Sequence, residues 1–207
     1  MTERVIAYVD GFNLYYGLRE QGWRRFYWLN IRRLMEGLLK PNQQLISTKY
    51  FTSLVSPTPS DPDKNRRQVA YLDALRTIPD FRIIYGHYLH NTQRCRKCGA
   101  TWVVPDEKMM DVNIATELMV DAFQDSLDTA LVVSADSDLS GPIEAVHRFF
   151  PGKRVIVFFP PGRSSKRLMQ VAHGFFKIRR NTLAQSQFPD HVNTPAGIVI
   201  RRPSNWR

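Results

Sequence analysis

The chain has 207 residues and carries 29 Lys plus Arg against 19 Asp plus Glu, a net charge of +10 with a pI near 9.9. That length fits one compact domain, and 43% hydrophobic with 12% aromatic residues supplies a core, which excludes a disordered chain. Two cysteines cannot staple a secreted scaffold of this size, and no apolar run approaches the ~18 residues that span a bilayer, so the expected address is cytoplasmic, with no membrane partner.

Val5–Asp10 reads as the first strand, too short to be a signal-peptide core. Beyond it, Trp23, Phe26, Tyr27 and Trp28 flank Arg24-Arg25 and read as packing at the edge of the core rather than as a platform for bases. Ile31–Leu39 has apolar residues three and four apart, as an amphipathic helix does. Lys49–Val55 is the second strand, followed by the proline-rich loop Ser56–Pro62, the helix Asp63–Thr77 and the strand Arg82–Tyr88. Residues 90–107 fit neither period and read as an insertion holding Cys95 and Cys98. The helix Asp111–Phe123 and the strand Ala130–Ser134 come next; the strand lacks polar alternation, which suits a central strand buried on both faces. Helix Gly141–Phe150, strand Arg154–Phe159, the breaker Pro160-Pro161-Gly162 and helix Ser164–His173 complete the series. Strands that alternate with helices predict an α/β class with a mostly parallel central sheet between helical layers. The domain spans residues 1–181, and 182–207 form an extension that packs on it or frays.

Of the 29 basic residues 21 are arginine, often in doublets, and arginine makes forked contacts with phosphate. A polyanion is therefore the first partner to consider, against the plain reading of a solvated basic face. In open α/β sheets ligands bind beyond the carboxyl ends of the strands, and there this basic chain places acids. The first strand ends in Asp10-Gly11-Phe12-Asn13, the strand Ala130–Ser134 runs into Ala135-Asp136-Ser137-Asp138, and a helix begins at Asp111. Each acid alone reads as a turn or helix-cap residue. Together, carboxylates at one edge repel unless a cation lies between them, and oxygen ligands without His or thiolate select Mg²⁺ or Mn²⁺. An acidic metal pocket within a basic surface is what hydrolysis of a phosphodiester requires.

Three stretches carry a resemblance: Val9-Asp10-Gly11-Phe12-Asn13-Leu14, Glu107-Lys108-Met109-Met110-Asp111-Val112, and Leu131-Val132-Val133-Ser134-Ala135-Asp136-Ser137-Asp138-Leu139. They resemble the signature segments of the NYN domain, the LabA-like branch of the PIN-like metal-dependent ribonucleases. Gly152–Val157, Ser186–Pro189 and Arg202–Trp206 are also similar to that branch, so the likeness covers nearly the whole chain in order. It implies a PIN-like Rossmannoid three-layer sandwich and an Mg²⁺/Mn²⁺-dependent endoribonuclease acting on RNA. Asp10 and Asp136 would be direct metal ligands, Asp111 a ligand or a neighbour through water, and Asp138 a supporting carboxylate. Asn13 and Ser134 would orient the scissile phosphate or a ligand water. Ala135 stands where the family often has Gly, a departure that touches rate rather than metal binding. Asp121, about three turns along the helix from Asp111, reads as a surface residue. A non-cleaving RNA-binding or regulatory module of the same fold is the alternative, and a phosphate-ester phosphatase the third reading; the usual Asp-x-Asp of such phosphatases follows strand one, where this chain has Asp10-Gly11-Phe12.

His87, His90, Cys95 and Cys98 are four zinc-type side chains, and Cys95-x-x-Cys98-Gly99 resembles one knuckle of a zinc ribbon. A second knuckle is missing and the two histidines, three apart on a strand, point to opposite faces, so a reduced pair without metal is the competing reading. Arg94, Arg96 and Lys97 make the insertion an RNA-contacting finger in either case. Arg163, Lys166 and Arg167, around the start of the helix after Pro160-Pro161-Gly162, would suit a phosphate, while Ser164 and Ser165 read equally as caps. His147 and His173 read as surface or satisfied core residues rather than catalysts. A homodimer would cover an exposed sheet edge.

Overall fold

The computed structural model describes residues 2–207, apart from the side chains of 87–93 and 102–108. In chain order the elements are β1 (Glu3–Asp10), α1 (Gly11–Glu20), α2 (Ile31–Glu36), β2 (Gln43–Thr52), α3 (Lys64–Arg76), β3 (Phe81–Tyr85), β4 (His87–Arg94) and β5 (Thr101–Lys108). Then follow α4 (Met110–Phe123), β6 (Thr129–Val133), α5 (Ser140–Phe149), β7 (Arg154–Phe159), α6 (Lys166–Val171), β8 (Gly174–Lys177), α7 (Arg180–Gln185), β9 (His191–Asn193) and β10 (Val199–Arg201).

Six strands form one sheet in the order β3-β2-β1-β6-β7-β8, every pair of neighbours parallel. The chain winds outward from β1 to β3, returns to the middle and winds outward again from β6 to β8. The reversal between β1 and β6 is the switch point at which such sheets leave a crevice for ligand. Side chains of β1 alternate across the sheet: Val5, Ala7 and Val9 join a core with residues of α1, α2, α3 and α7, and Ile6 and Tyr8 join a second core with residues of α4, α5 and α6. β6 does the same, Leu131 and Val133 going one way and Ala130 and Val132 the other. The fold is thus the three-layer α/β arrangement of a PIN-like domain.

The sequence misses some of this detail. α1 begins directly at Gly11, because the Asp10 carboxylate accepts the Asn13 N–H and caps the helix. The segment read as one strand, Arg82–Tyr88, is broken after β3 at Gly86, and the irregular insertion is an antiparallel hairpin of β4 with β5 in a sheet of its own. Mixed polar and apolar residues along β5 hide its period from a sequence reading. β8 is Gly-Phe-Phe-Lys at the sheet edge, too short to show a period. The final residues pack on the domain: Trp206 is buried against Tyr27, Trp28 and Tyr71, and the Trp28 indole N–H donates to the Pro189 carbonyl. Phe26, Tyr27 and Trp28 are core residues and Trp23 is half-buried, in line with the reading of this aromatic cluster as packing at the edge of the core.

Candidate active site

β1 and β6 run side by side with Val9 opposite Val133, so the next residues, Asp10 and Ser134, meet at the carboxyl end of the sheet. Asp10 is 3% exposed. One of its oxygens accepts the Asn13 N–H at 2.8 Å and the other accepts the Ser134 hydroxyl at 2.9 Å. The Ser134 oxygen in turn accepts the Asp136 N–H at 3.0 Å, and the Asp136 carboxylate accepts the Asp138 N–H at 3.0 Å, capping the short turn Ser137–Leu139. Asn13 closes the circuit from the other side, its Oδ1 accepting the Ala135 N–H at 3.2 Å. Ala135 is not among the residues with positive φ, so alanine is accommodated there without backbone strain.

Asp111 enters from α4, in whose first turn it lies. The preceding Met109 sits in the left-handed region at φ 75, a conformation that costs a residue with a side chain about 1 kcal/mol and sets the direction in which α4 leaves the hairpin. Asp111 and Asp136 both act on Asp10 electrostatically. Burial is the main force that drives the Asp10 carboxyl up to about 7; the Asn13 and Ser134 hydrogen bonds oppose it, and the charges of Asp111 and Asp136 add to it. Among the described residues no cationic side chain pairs with Asp10, and no three His, Cys, Asp or Glu groups stand close enough to hold a metal ion as they are. The residues present nevertheless fit one: a buried carboxylate with two neutral donors, in the field of two more carboxylates, is an all-oxygen set of the kind hard divalent cations take.

Ser134 is fully buried and its hydroxyl is engaged with Asp10, so it orients that acid and offers no surface to RNA. Asp138 is exposed at the turn, its N–H held by Asp136. Arg163, Lys166 and Arg167 follow β7 at the same sheet edge; Arg163 pairs with Glu20 and Arg167 with Glu144, and Lys166 is exposed. The Ser165 hydroxyl accepts the Leu168 N–H, capping α6. His147 and His173 pack ring to ring at 3.9 Å beside the start of β7, the opposite end of the sheet from the acids. Burial lowers both imidazole pKa values, His173 further lowering that of His147 and Arg154 that of His173. In the hairpin, Arg94, Arg96 and Lys97 surround Cys95 and Cys98, which are both free thiols. The side chains of His87 and His90 lie outside the described residues.

Two features escape the sequence reading. Asp121 is a buried residue, not a surface one: its carboxylate accepts from the Tyr8 hydroxyl and, at 2.5 Å, from the Lys49 ammonium, which also pairs with Glu117. Lys49 is itself 4% exposed, so this cluster pins α4, and with it Asp111, against β1 and β2. The place of Asp121 seven after Ile114 and three after Leu118 puts it on the buried face of α4, but the partners that satisfy it there lie far away in sequence. The second feature is a cavity of about 100 Å³ behind Gly11, on the other face of the sheet edge. Tyr15, Tyr27, Tyr50, Tyr71 and Trp206 contribute rings to it, with Lys64 and Arg67 as its cations. Its residues come from distant parts of the chain, and no local pattern announces it.

Comparisons with known proteins agree with this architecture. A family model described as the NYN domain matches residues 4–179. The chain is 27% identical, over 98% of its own length and 75% of the other's, to the 6-hydroxy-3-succinoylpyridine 3-monooxygenase HspA of Pseudomonas putida (strain DSM 28022 / S16). Among solved structures it is similar to VPA0982 of Vibrio parahaemolyticus RIMD 2210633, a protein of unknown function. The TM-score is 0.56 at 23% identity, over 87% of this chain and 95% of that one. That likeness is one of fold.

Proposed function

The chain belongs to the NYN domain family, whose PIN-like fold is that of nucleases, and from this premise we propose that it is an Mg²⁺- or Mn²⁺-dependent endoribonuclease. The observation that carries the proposal is the buried, cation-free Asp10 at the switch point, within the field of Asp111 and Asp136. Asp10, Asp136 and Asp111 are the residues that would hold the ion. Once bound it would polarise the phosphodiester and lower the pKa of a water molecule.

The chain's own residues do the positioning. The Ser134 hydroxyl ties Asp10 to the backbone of Asp136, so the two carboxylates keep one relative orientation. Asn13 holds the loop at Ala135 from α1, and Asp136 shapes the turn that presents Asp138. Fixed geometry of this kind spares reorganisation when the reaction occurs. The aromatic cavity beyond Gly11 would receive one planar base, and Lys64 at its wall suits the adjoining phosphate, while Arg67 beside it is engaged with Asp61. The basic surface supplies long-range attraction to the polyanion. A cytoplasmic setting accords with RNA as substrate and with two free thiols.

The test is cleavage of labelled RNA by the Asp10→Ala, Asp136→Ala and double variants, each checked for retained secondary structure by circular dichroism. Loss of cleavage with the fold retained is expected; activity that persists in the purified double variant overturns the assignment. Hydroxylation of 6-hydroxy-3-succinoylpyridine without nuclease activity would move the chain to the reaction in the name of its Pseudomonas relative. RNA bound but never cut would favour a regulatory module of the same fold.

A further inference from the structure

The Cys95–Cys98 pair plays no part in the acidic edge. Among the described residues β4 and β5 pair only with each other, and the turn between them carries Cys95-Arg96-Lys97-Cys98-Gly99. The turn is tightly organised: the Cys95 N–H donates to the Ala100 carbonyl at 2.8 Å, the Gly99 N–H to the Cys95 carbonyl at 3.0 Å, and Gly99 takes φ 70, which glycine adopts without steric cost. The same turn gathers the backbone N–H groups of Lys97 and Cys98 and the Cys98 thiol around the Cys95 sulfur. Two sulfurs on one tetrahedral zinc with bonds of ~2.3 Å lie ~3.8 Å apart, a spacing that two cysteines sharing one tight turn can meet. Cys98 is exposed and Cys95 half-exposed, so both can be reached from outside.

Two thiolates fill half of the four positions of a structural zinc. Among the described residues no third ligand joins them. His90 and His87 lie five and eight residues back along an extended strand, roughly 16 and 26 Å away at ~3.3 Å per residue, beyond the reach of an ion held at the tip. The missing half must come from another tip, and a twofold contact supplies an identical pair. A zinc with four thiolates has a net charge of −2, and the anionic centre would draw together two tips whose Arg94, Arg96 and Lys97 otherwise repel.

We propose that Cys95 and Cys98 form half of a zinc site that the same pair from a second copy of this chain completes, two hairpin tips clasping one Zn²⁺ through four thiolates. Four thiols release four protons to solvent as the ion binds, and no oxidant or reductant takes part.

Zinc content and molar mass test it together, on the full chain purified in reducing buffer and titrated with ZnSO₄. One zinc per two chains and a mass twice 24.0 kDa are expected, reverting to the monomer mass with a zinc chelator and in the Cys95→Ser/Cys98→Ser variant. Co²⁺ in place of zinc should give the near-ultraviolet charge-transfer absorption of a cobalt–thiolate centre. One zinc per chain at monomer mass, no zinc retained, or a dimer that survives both chelator and double variant each overturns the proposal. The chelator arm needs no substitution, so a folding defect in the variant cannot mask the answer.

Discussion

Asp10 is 3% exposed with two neutral donors and no cation beside it, so ionising it costs stability. In the unfolded chain such a carboxyl titrates near ~3.9, and in the folded chain at about 7. Between those values the folded state keeps a proton that the unfolded state has released. Stability of the metal-free protein therefore falls as pH rises from about 4 to about 7 and levels off above, with a loss on the order of 4 kcal/mol at most. Urea unfolding in EDTA across that range measures it. Asp10→Asn should remove this slope and raise metal-free stability at pH 8 by about 1–2 kcal/mol while abolishing activity, because the amide keeps an acceptor for Asn13 and carries no charge to bury. A variant less stable than the parent at pH 8 would contradict this account of Asp10. The acids themselves were legible in the sequence because each follows a strand or opens a helix. The direction of Ser134 was not: a serine after a strand reads the same whether it faces a substrate or, as here, a carboxylate beneath it.

At the scale of elements, the corner between β1 and α1 and the seat of α4 set the site. A Cβ at Gly11 would lie 2.6 Å from the Tyr50 ring and 2.7 Å from the Phe51 carbonyl oxygen, so the helix could not begin where it does. Gly11→Ala is expected to cost about 1–3 kcal/mol and to lower activity through displacement of Asn13, read by thermal unfolding and by cleavage rate. Lys49→Ala leaves the buried Asp121 carboxylate without its cation and should destabilise by about 3 kcal/mol in urea titration. Its effect on activity should follow from the loosening of α4 and Asp111. The periodic helices and the apolar central strand were readable because burial on one face or on both leaves a pattern. α1 was not, since its start depends on the Asp10 cap, which is a side-chain contact rather than a period. The buried Asp121 was hidden because its partners, Tyr8 and Lys49, lie on β1 and β2, far away in sequence.

Across the whole molecule, a doubly wound parallel sheet brings the ends of β1 and β6 together and places α4 beside them, which is why Asp111 and Asp136, far away in sequence, act on Asp10. The chain carries an excess of ten positive charges, and a net charge of that sign attracts polyanions over a long range. Affinity for RNA should accordingly fall steeply and linearly on a logarithmic salt scale, measured by fluorescence anisotropy in EDTA so that binding is separated from cleavage. Architecture and acidic edge were both visible in the residues, whereas the aromatic cavity exists only once the final Trp206 folds back beside Tyr71 and Tyr27. The most direct test of the central claim is cleavage of labelled RNAs and single-stranded DNAs in Mg²⁺, Mn²⁺ or EDTA, with the parent and Asp136→Asn side by side. RNA cut only with a divalent ion, and not by the variant, is the predicted result; cutting that continues in EDTA, or in the variant at the parent's rate, would contradict it.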